Sequence, residues 1–376
     1  MKSDATILLA GGGTGGHLYP GISVAMAIRE ALPDVRPLFL CTNREIDRII
    51  LEPTGFDFIT QPIVPIVKTI PGLLRFWKCW RHTHDLVRQV LKRRKPLAIL
   101  GLGGYAAGVA VKLAAKRGIP AAILNPDVIP GRANQYLMRY VSAVCCQFDA
   151  TRQHVSPHHL PKLKITGCPI RRDIRTLPDR NEAAVRLGLH PKLLTLVITG
   201  ASQGAATVNE AILTVLPQLN LQGWQILHLA GRDHAKTVTQ AYRERSQEAC
   251  VVDFTPNMAD VWAVADLVVS RAGASTCAEL TACGKPSILM PYPFHKDMHQ
   301  RANAKVLAEA NAAVLLDDEK DGKANAARLK PILESLLYDA NKRQAMAAAA
   351  RSLGLPDAAE RVADVIKSLV VQPAYG

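Results

Sequence analysis

No run of apolar residues in this 376-residue chain approaches the roughly 20 that a membrane-spanning helix needs. The N-terminal run is not expected to be a secretion signal either. After Met-Lys-Ser-Asp comes a short apolar run at 5–10, and glycines follow it where a small-residue cleavage site would stand. The chain is therefore expected to stay in the cytoplasm. The eight cysteines form no Cys-x-x-Cys pair and share no ligand spacing with histidine, which argues against a zinc site and for thiols packed as small hydrophobes. No metal is expected. Acidic residues are scarce in one half only: residues 1–180 hold 12 of them against 26 Lys and Arg, whereas residues 181–376 hold 20 of each. All of the net charge of +14 lies in the first half, which is expected to face nucleic acid or an acidic membrane surface.

What is present is globular. Hydrophobic residues make up 48% and charged residues 21%, which excludes a disordered chain, and the length suffices for two cores. Short β-rich runs at 6–10, 36–41, 98–101, 121–124 and 143–147 alternate with helical stretches at 21–32, 43–54 and 106–117. Prolines at 157, 161, 169 and 178 then break the rhythm. It resumes with strands at 194–199, 225–230, 249–253, 266–270 and 287–290, helices at 206–216 and 300–310, and a helical tail from 324 to 371. Repeated β-loop-α units predict an α/β chain of two doubly wound, Rossmann-like domains with a cleft between them. The expected division is 1–165, a linker at 166–180, a second domain over 181–355, and a C-terminal helix at 356–376 that packs back on the first domain.

Four strands run into glycine turns. Gly11-Gly12-Gly13-Thr14-Gly15-Gly16-His17 links a buried strand to a helix, where close backbone approach and unpaired N–H groups suit a phosphate. It lacks the Gly-Lys-Ser/Thr ending of a P-loop and the acidic partner of a dinucleotide fold. His17, at the loop–helix junction, is a candidate general base or a histidine that only braces its loop. Gly101-Leu102-Gly103-Gly104-Tyr105 is the second turn. Gly200–Ala205, with Ser202 placed toward a phosphate, is the third, and Ala272–Glu279 the fourth. Glu279 sits one turn inside its helix, where a carboxylate can grip ribose hydroxyls or simply answer the helix dipole. Between the first two turns, Leu73, Trp77, Trp80, Val87 and Leu91 recur at helical spacing. Phe76, Lys68, Arg75, Lys78, Arg81, Arg88 and the basic run 92–95 surround them. That pattern fits either an interfacial membrane contact, with Leu73, Phe76, Trp77, Trp80, Arg75, Lys78 and Arg81 at the surface, or a core helix with a solvated basic face.

Taken together, GGGTGGHLYPGISVA, GLGGYAAG, IPGRAN, GCPIRRD, TGASQGAATVNEAI, SRAGASTCAEL and HKDMHQRANA resemble the MurG-type N-acetylglucosaminyltransferases over nearly the whole chain. The resemblance implies a GT-B fold and an inverting transfer without cofactor or metal, from UDP-GlcNAc to the MurNAc 4-hydroxyl of undecaprenyl-linked lipid I. It places the enzyme peripherally on the cytoplasmic face of the bacterial inner membrane, with other cell-wall synthesis proteins as possible partners. Donor positions carried over are Thr14, Gly15, Gly16, Arg171, Ser202, Thr255, Ala274, Ser275, Thr276, Cys277, Ala278, Glu279, Gln300 and Asn303. Gly103, Gly104 and Tyr105 would meet the acceptor. One loop departs from the family: its His-Glu-Gln-Asn stretch corresponds here to Leu124-Asn125-Pro126-Asp127. The family's candidate catalytic glutamate is thus Asn125, which leaves His17 as the expected base, and Asp127 as a donor contact and substitute base.

Other readings share parts of this pattern. A different lipid-directed GT-B transferase, such as a diacylglycerol glycosyltransferase, has the same fold and donor pocket. A UDP-sugar epimerase needs more carboxylates than can be placed. A catalytically silent UDP-sugar-binding partner is favoured only by the altered 124–127 loop, and no nucleic-acid reading motif is present.

Overall fold

A computed structural model describes residues 5–200, 204–295 and 297–371. They form two compact units. The first runs to Arg171 and takes back the C-terminal segment from Pro356; the second is Arg172–Leu355. The segment expected as a linker at 166–180 is thus divided between the two units.

The first unit is a seven-stranded, wholly parallel sheet of β1 (Thr6–Ala10), β2 (Arg36–Thr42), β3 (Asp57–Gln61), β4 (Ala98–Gly101), β5 (Ala121–Asn125), β6 (Ala143–Cys146) and β7 (Leu163–Ile165), in the order β3-β2-β1-β4-β5-β6-β7. Every residue of β1 is buried, which is why it reads as a continuous apolar run and not as an alternating one. Successive side chains still take opposite faces. Ile7 and Leu9 join Leu18, Ile22 and Ile28 of the Gly15–Ala31 helix, while Leu8 and Ala10 join Val87, Leu91 and Val111 from the helices Ile70–Arg94 and Gly104–Ala115. Each fully buried Ile or Leu contributes about 1.5–3 kcal/mol. The Ala358–Val371 helix packs Val362 and Ile366 into the first of these cores, against the Gly15–Ala31 helix.

The second unit repeats the plan with six parallel strands: β8 (Leu194–Thr199), β9 (Trp224–Leu229), β10 (Cys250–Val252), β11 (Ala265–Ser270), β12 (Ser287–Leu289) and β13 (Ala313–Leu315), ordered β10-β9-β8-β11-β12-β13. Strand order reverses between β1 and β4 in one sheet and between β8 and β11 in the other. Ligands of doubly wound sheets bind at such switch points, beyond the carboxyl ends of the strands. The first, second and fourth glycine turns follow β1, β4 and β11, and residues 201–203 of the third lie outside the described residues.

Several elements differ from the sequence-based expectation. The first helix begins at Gly15, not near residue 21, and the helix expected from 106 begins at Gly104. Glycine's low helix propensity hid both starts. Strands β3, β7 and β13 were not anticipated. β3 carries Asp, Thr and Gln on a partly exposed edge, β7 is three residues within a proline-rich stretch, and β13 is also only three residues long.

Candidate active site

In the first unit the site is built on two glycine turns lying side by side. Thr14 caps the Gly15–Ala31 helix in an extended conformation without a side-chain cap bond; its hydroxyl instead stands 3.2 Å from His17 Nδ1. Helix N-termini leave their first N–H groups without intrahelical partners, and here those groups belong to exposed Gly16 and half-buried Gly15. The His17 ring lies against the second turn. A Cβ at Gly103 would come within 3.1 Å of His17 Cδ2, and one at Gly104 within 3.1 Å of Cε1, while their φ values of 106° and 69° already favour glycine. A side chain at Gly13 would meet the Tyr105 hydroxyl at 3.5 Å, so Tyr105 spans both turns.

Burial holds the His17 pKa below its ordinary value. A hydrogen bond with the Gly12 backbone and the charges of Asp127 and Asp47 pull the other way without reversing it. The ring is therefore neutral near pH 7, the form a general base requires. Asp127 follows β5 in a loop braced from within. Buried Asn125 donates to the Asp127 carbonyl at 2.8 Å, and Asn134 donates to both Asn125 Oδ1 (3.1 Å) and the Leu124 carbonyl (2.8 Å). Asn125 is thus a loop brace.

Sequence reasoning missed Asp47. Its carboxylate is fully buried and accepts from Gly13 N (2.7 and 2.9 Å), Thr42 N (2.8 Å) and Thr42 Oγ1 (2.7 Å), and Arg44 donates to the Gly13 carbonyl at 3.0 Å. These bonds fix the first glycine turn. The only sequence signal was a polar residue on the inner face of a short helix. Arg171 closes the unit with its guanidinium 5.2 Å from the Tyr19 ring centroid.

In the second unit the Ala274–Ala282 helix begins directly beyond β11. Ser275, Thr276 and Glu279 keep partial exposure, whereas Cys277 and Ala278 turn inward, so the side chains of these two face the core. Glu279 Oε2 accepts from the indole Nε1 of Trp262 at 2.8 Å, and Trp262 is 1% exposed. Buried Asn303 donates to the Ala272 carbonyl at 3.2 Å, and Gln300 Oε1 accepts from Tyr292 N at 2.9 Å. Thr255 accepts from Asn257 N in a local turn. Ser202 lies outside the described residues. A buried pair, likewise unforeseen, ties the strand ends together: Arg271 donates to Asp318 (2.7 Å), to the Met290 and Pro291 carbonyls, and to Thr207 Oγ1. Burial alone would push the Asp318 carboxyl up, yet hydrogen bonds from Thr207, Asn325 and Arg271 hold it below its ordinary value.

The Ile70–Arg94 helix is capped by Thr69, which accepts from Gly72 N. Its two halves differ. Val87, Val90 and Leu91 are core residues, and Phe76 and Trp80 pack half-buried against that core. Leu73, Leu74 and Trp77 are exposed together with Ile66, Val67 and Ile70, and Arg75, Lys78 and Arg81 are exposed beside them. Phe76 and Trp80 therefore leave the surface group expected from the sequence, and the preceding loop joins it. Among the described residues no helix is long and apolar enough to cross a membrane.

Comparison with known proteins agrees with this architecture. The glycosyltransferase family 28 N-terminal domain matches residues 7–146 and the family 28 C-terminal domain residues 195–362. The chain is 34% identical to a UDP-N-acetylglucosamine–N-acetylmuramyl-(pentapeptide) pyrophosphoryl-undecaprenol N-acetylglucosamine transferase of Bacillus licheniformis, over 96% of this chain and 98% of that protein. It is equally similar, over the same shares, to the transferase of that name from Desulfitobacterium hafniense. The fold matches Acinetobacter baumannii MurG with a TM-score of 0.73 at 24% identity, covering 97% of this chain and 99% of that one. It also matches Staphylococcus aureus MnaA with UDP, with a TM-score of 0.69 at 12% identity over the full length of both. With both domains matched in order and near-complete coverage at 34% identity, the chain belongs to the MurG-type glycosyltransferases of family 28, which have the GT-B fold.

Proposed function

We propose that this protein is the inverting transferase that moves GlcNAc from UDP-GlcNAc to the MurNAc 4-hydroxyl of lipid I, forming lipid II on the cytoplasmic face of the membrane. The observation that carries the reading is the 34% identity running through 96% of the chain and 98% of its B. licheniformis relative. His17 and both glycine turns of the first unit fall inside the N-terminal domain match.

In this reading neutral His17 takes the proton of the 4-hydroxyl as that oxygen attacks the anomeric carbon from the face opposite UDP. The C1–O bond to the diphosphate breaks, and its electron pair leaves with UDP. The N–H groups at the start of the Ala274–Ala282 helix, with Ser202 and Arg171, stabilise the departing charge in place of a cation. Glu279, held by Trp262, grips the ribose, while Thr255, Gln300 and Asn303 shape the donor pocket. Gly103, Gly104 and Tyr105 receive the acceptor pyrophosphate. Exposed Ile66, Val67, Ile70, Leu73, Leu74 and Trp77 and their basic neighbours rest on the anionic membrane surface that presents the lipid.

The test is product analysis with UDP-GlcNAc, a lipid I analogue and EDTA. The reading expects a β-linked disaccharide that forms only with the acceptor and persists in EDTA. Transfer to diacylglycerol instead would make it a different lipid-directed enzyme, and bound but unconsumed UDP-GlcNAc a silent partner.

A further inference from the structure

The segment from β12 into the His299–Glu309 helix carries a cluster to which the proposed transfer assigns no role. His295, Asp297 and His299 stand at alternate positions, and one ligand atom from each lies within 4.8 Å of the others. His299 Nδ1 and Asp297 Oδ1 are 2.8 Å apart, and the His295 and His299 ring centroids are 4.7 Å apart. The backbone gathers them: Met298 takes a left-handed conformation, φ 51°, at the helix N-cap. Non-glycine residues adopt that region seldom, and here it turns the chain sharply into the helix. His295 and Asp297 are exposed and His299 is half-buried, so an ion reaches the cluster from solvent.

We propose that His295, Asp297 and His299 bind one divalent transition ion of the zinc class, at the N-terminus of the helix that carries Gln300 and Asn303. Two imidazoles and a carboxylate make a borderline-soft set that suits Zn²⁺, Co²⁺ or Ni²⁺ better than Mg²⁺ or Ca²⁺. Bonds of about 2.0–2.2 Å set two ligands of a tetrahedral ion roughly 3.3 Å apart. The His299–Asp297 pair therefore opens by only about half an ångström as the ion replaces the shared proton. Three protein ligands leave the fourth position to water. The ion fastens His295 and Asp297 to the first turn of the helix, beside Gln300 and its bond to Tyr292. The cysteine spacing that argued against zinc bears on none of these donors.

The experiment titrates the chelator-stripped full chain with Co²⁺, read by visible absorption, and with Zn²⁺, read by equilibrium dialysis. One equivalent is expected, with d–d bands of nitrogen and oxygen ligation and no thiolate charge-transfer band. Affinity should fall at least about 100-fold in a His295→Gln/His299→Gln variant. The thermal midpoint should rise with Zn²⁺ in the wild type and not in the variant, whose circular dichroism reports that it folds. Absence of stoichiometric binding, binding undiminished in the variant, or a thiolate band would overturn the site.

Discussion

Two residues of the site act through their neighbours, and each makes a measurable prediction. Asp127 raises the His17 pKa by its charge while burial lowers it. In Asp127→Asn that support for the imidazolium is gone, so the His17 pKa falls further below its ordinary value of about 6.5. The acid limb of kcat/KM, which reports the free enzyme's base, should then move to lower pH with the plateau largely kept. Collapse at every pH would instead make Asp127 the group that carries the proton. Trp262 positions Glu279. Trp262→Phe keeps an aromatic side chain while removing the N–H along with part of the indole, and a hydrogen bond to a charged group is worth about 1.5–3 kcal/mol. The KM for UDP-GlcNAc should rise roughly tenfold with kcat little changed, and by less for the 2′-deoxyribose donor. An equal rise for both donors would sever Trp262 from the ribose.

At the scale of elements, the Ile70–Arg94 helix combines two tasks that one amphipathic pattern had merged. Replacing exposed Leu74 and Trp77 by Glu should weaken binding to anionic vesicles at least about tenfold, with the thermal midpoint shifting little, because surface changes usually stay within about ±0.5 kcal/mol. Leu91→Ala, in the core, should destabilise the first unit by about 2–5 kcal/mol and leave vesicle binding intact. Co-sedimentation and thermal unfolding separate the two effects, and a Leu74→Glu/Trp77→Glu variant that still sediments fully would remove the membrane assignment. Most strands that could be read from sequence were buried on both faces, such as Thr6–Ala10 and Leu194–Thr199, whose apolar runs need no partner to be recognised. The edge strand Asp57–Gln61 and the three-residue Leu163–Ile165 owe their existence to the neighbour they pair with, information no local window contains.

For the molecule as a whole, the repeated β-loop-α plan, the glycine turns and the charge imbalance were all legible, because each is a property of local pattern or composition. His17 and Glu279 were also within reach, since they adjoin those turns in the chain, whereas Asn303 came only with the family resemblance. What was not legible was the support beneath them. Asp47 reaches Gly13 across 34 residues, Arg271 reaches Asp318 across 47, and Trp262 reaches Glu279 across 17. Such polar partners are ordinary residues in sequence and become distinctive only when buried together.

The central claim is that neutral His17 removes the acceptor proton. Its most direct test is acceptor-dependent UDP release by wild type and His17→Ala, in EDTA, with UDP-GlcNAc affinity measured alongside. The account predicts a loss of about 10²–10⁴-fold in kcat with donor binding retained. A variant that turns over at the wild-type rate would contradict it.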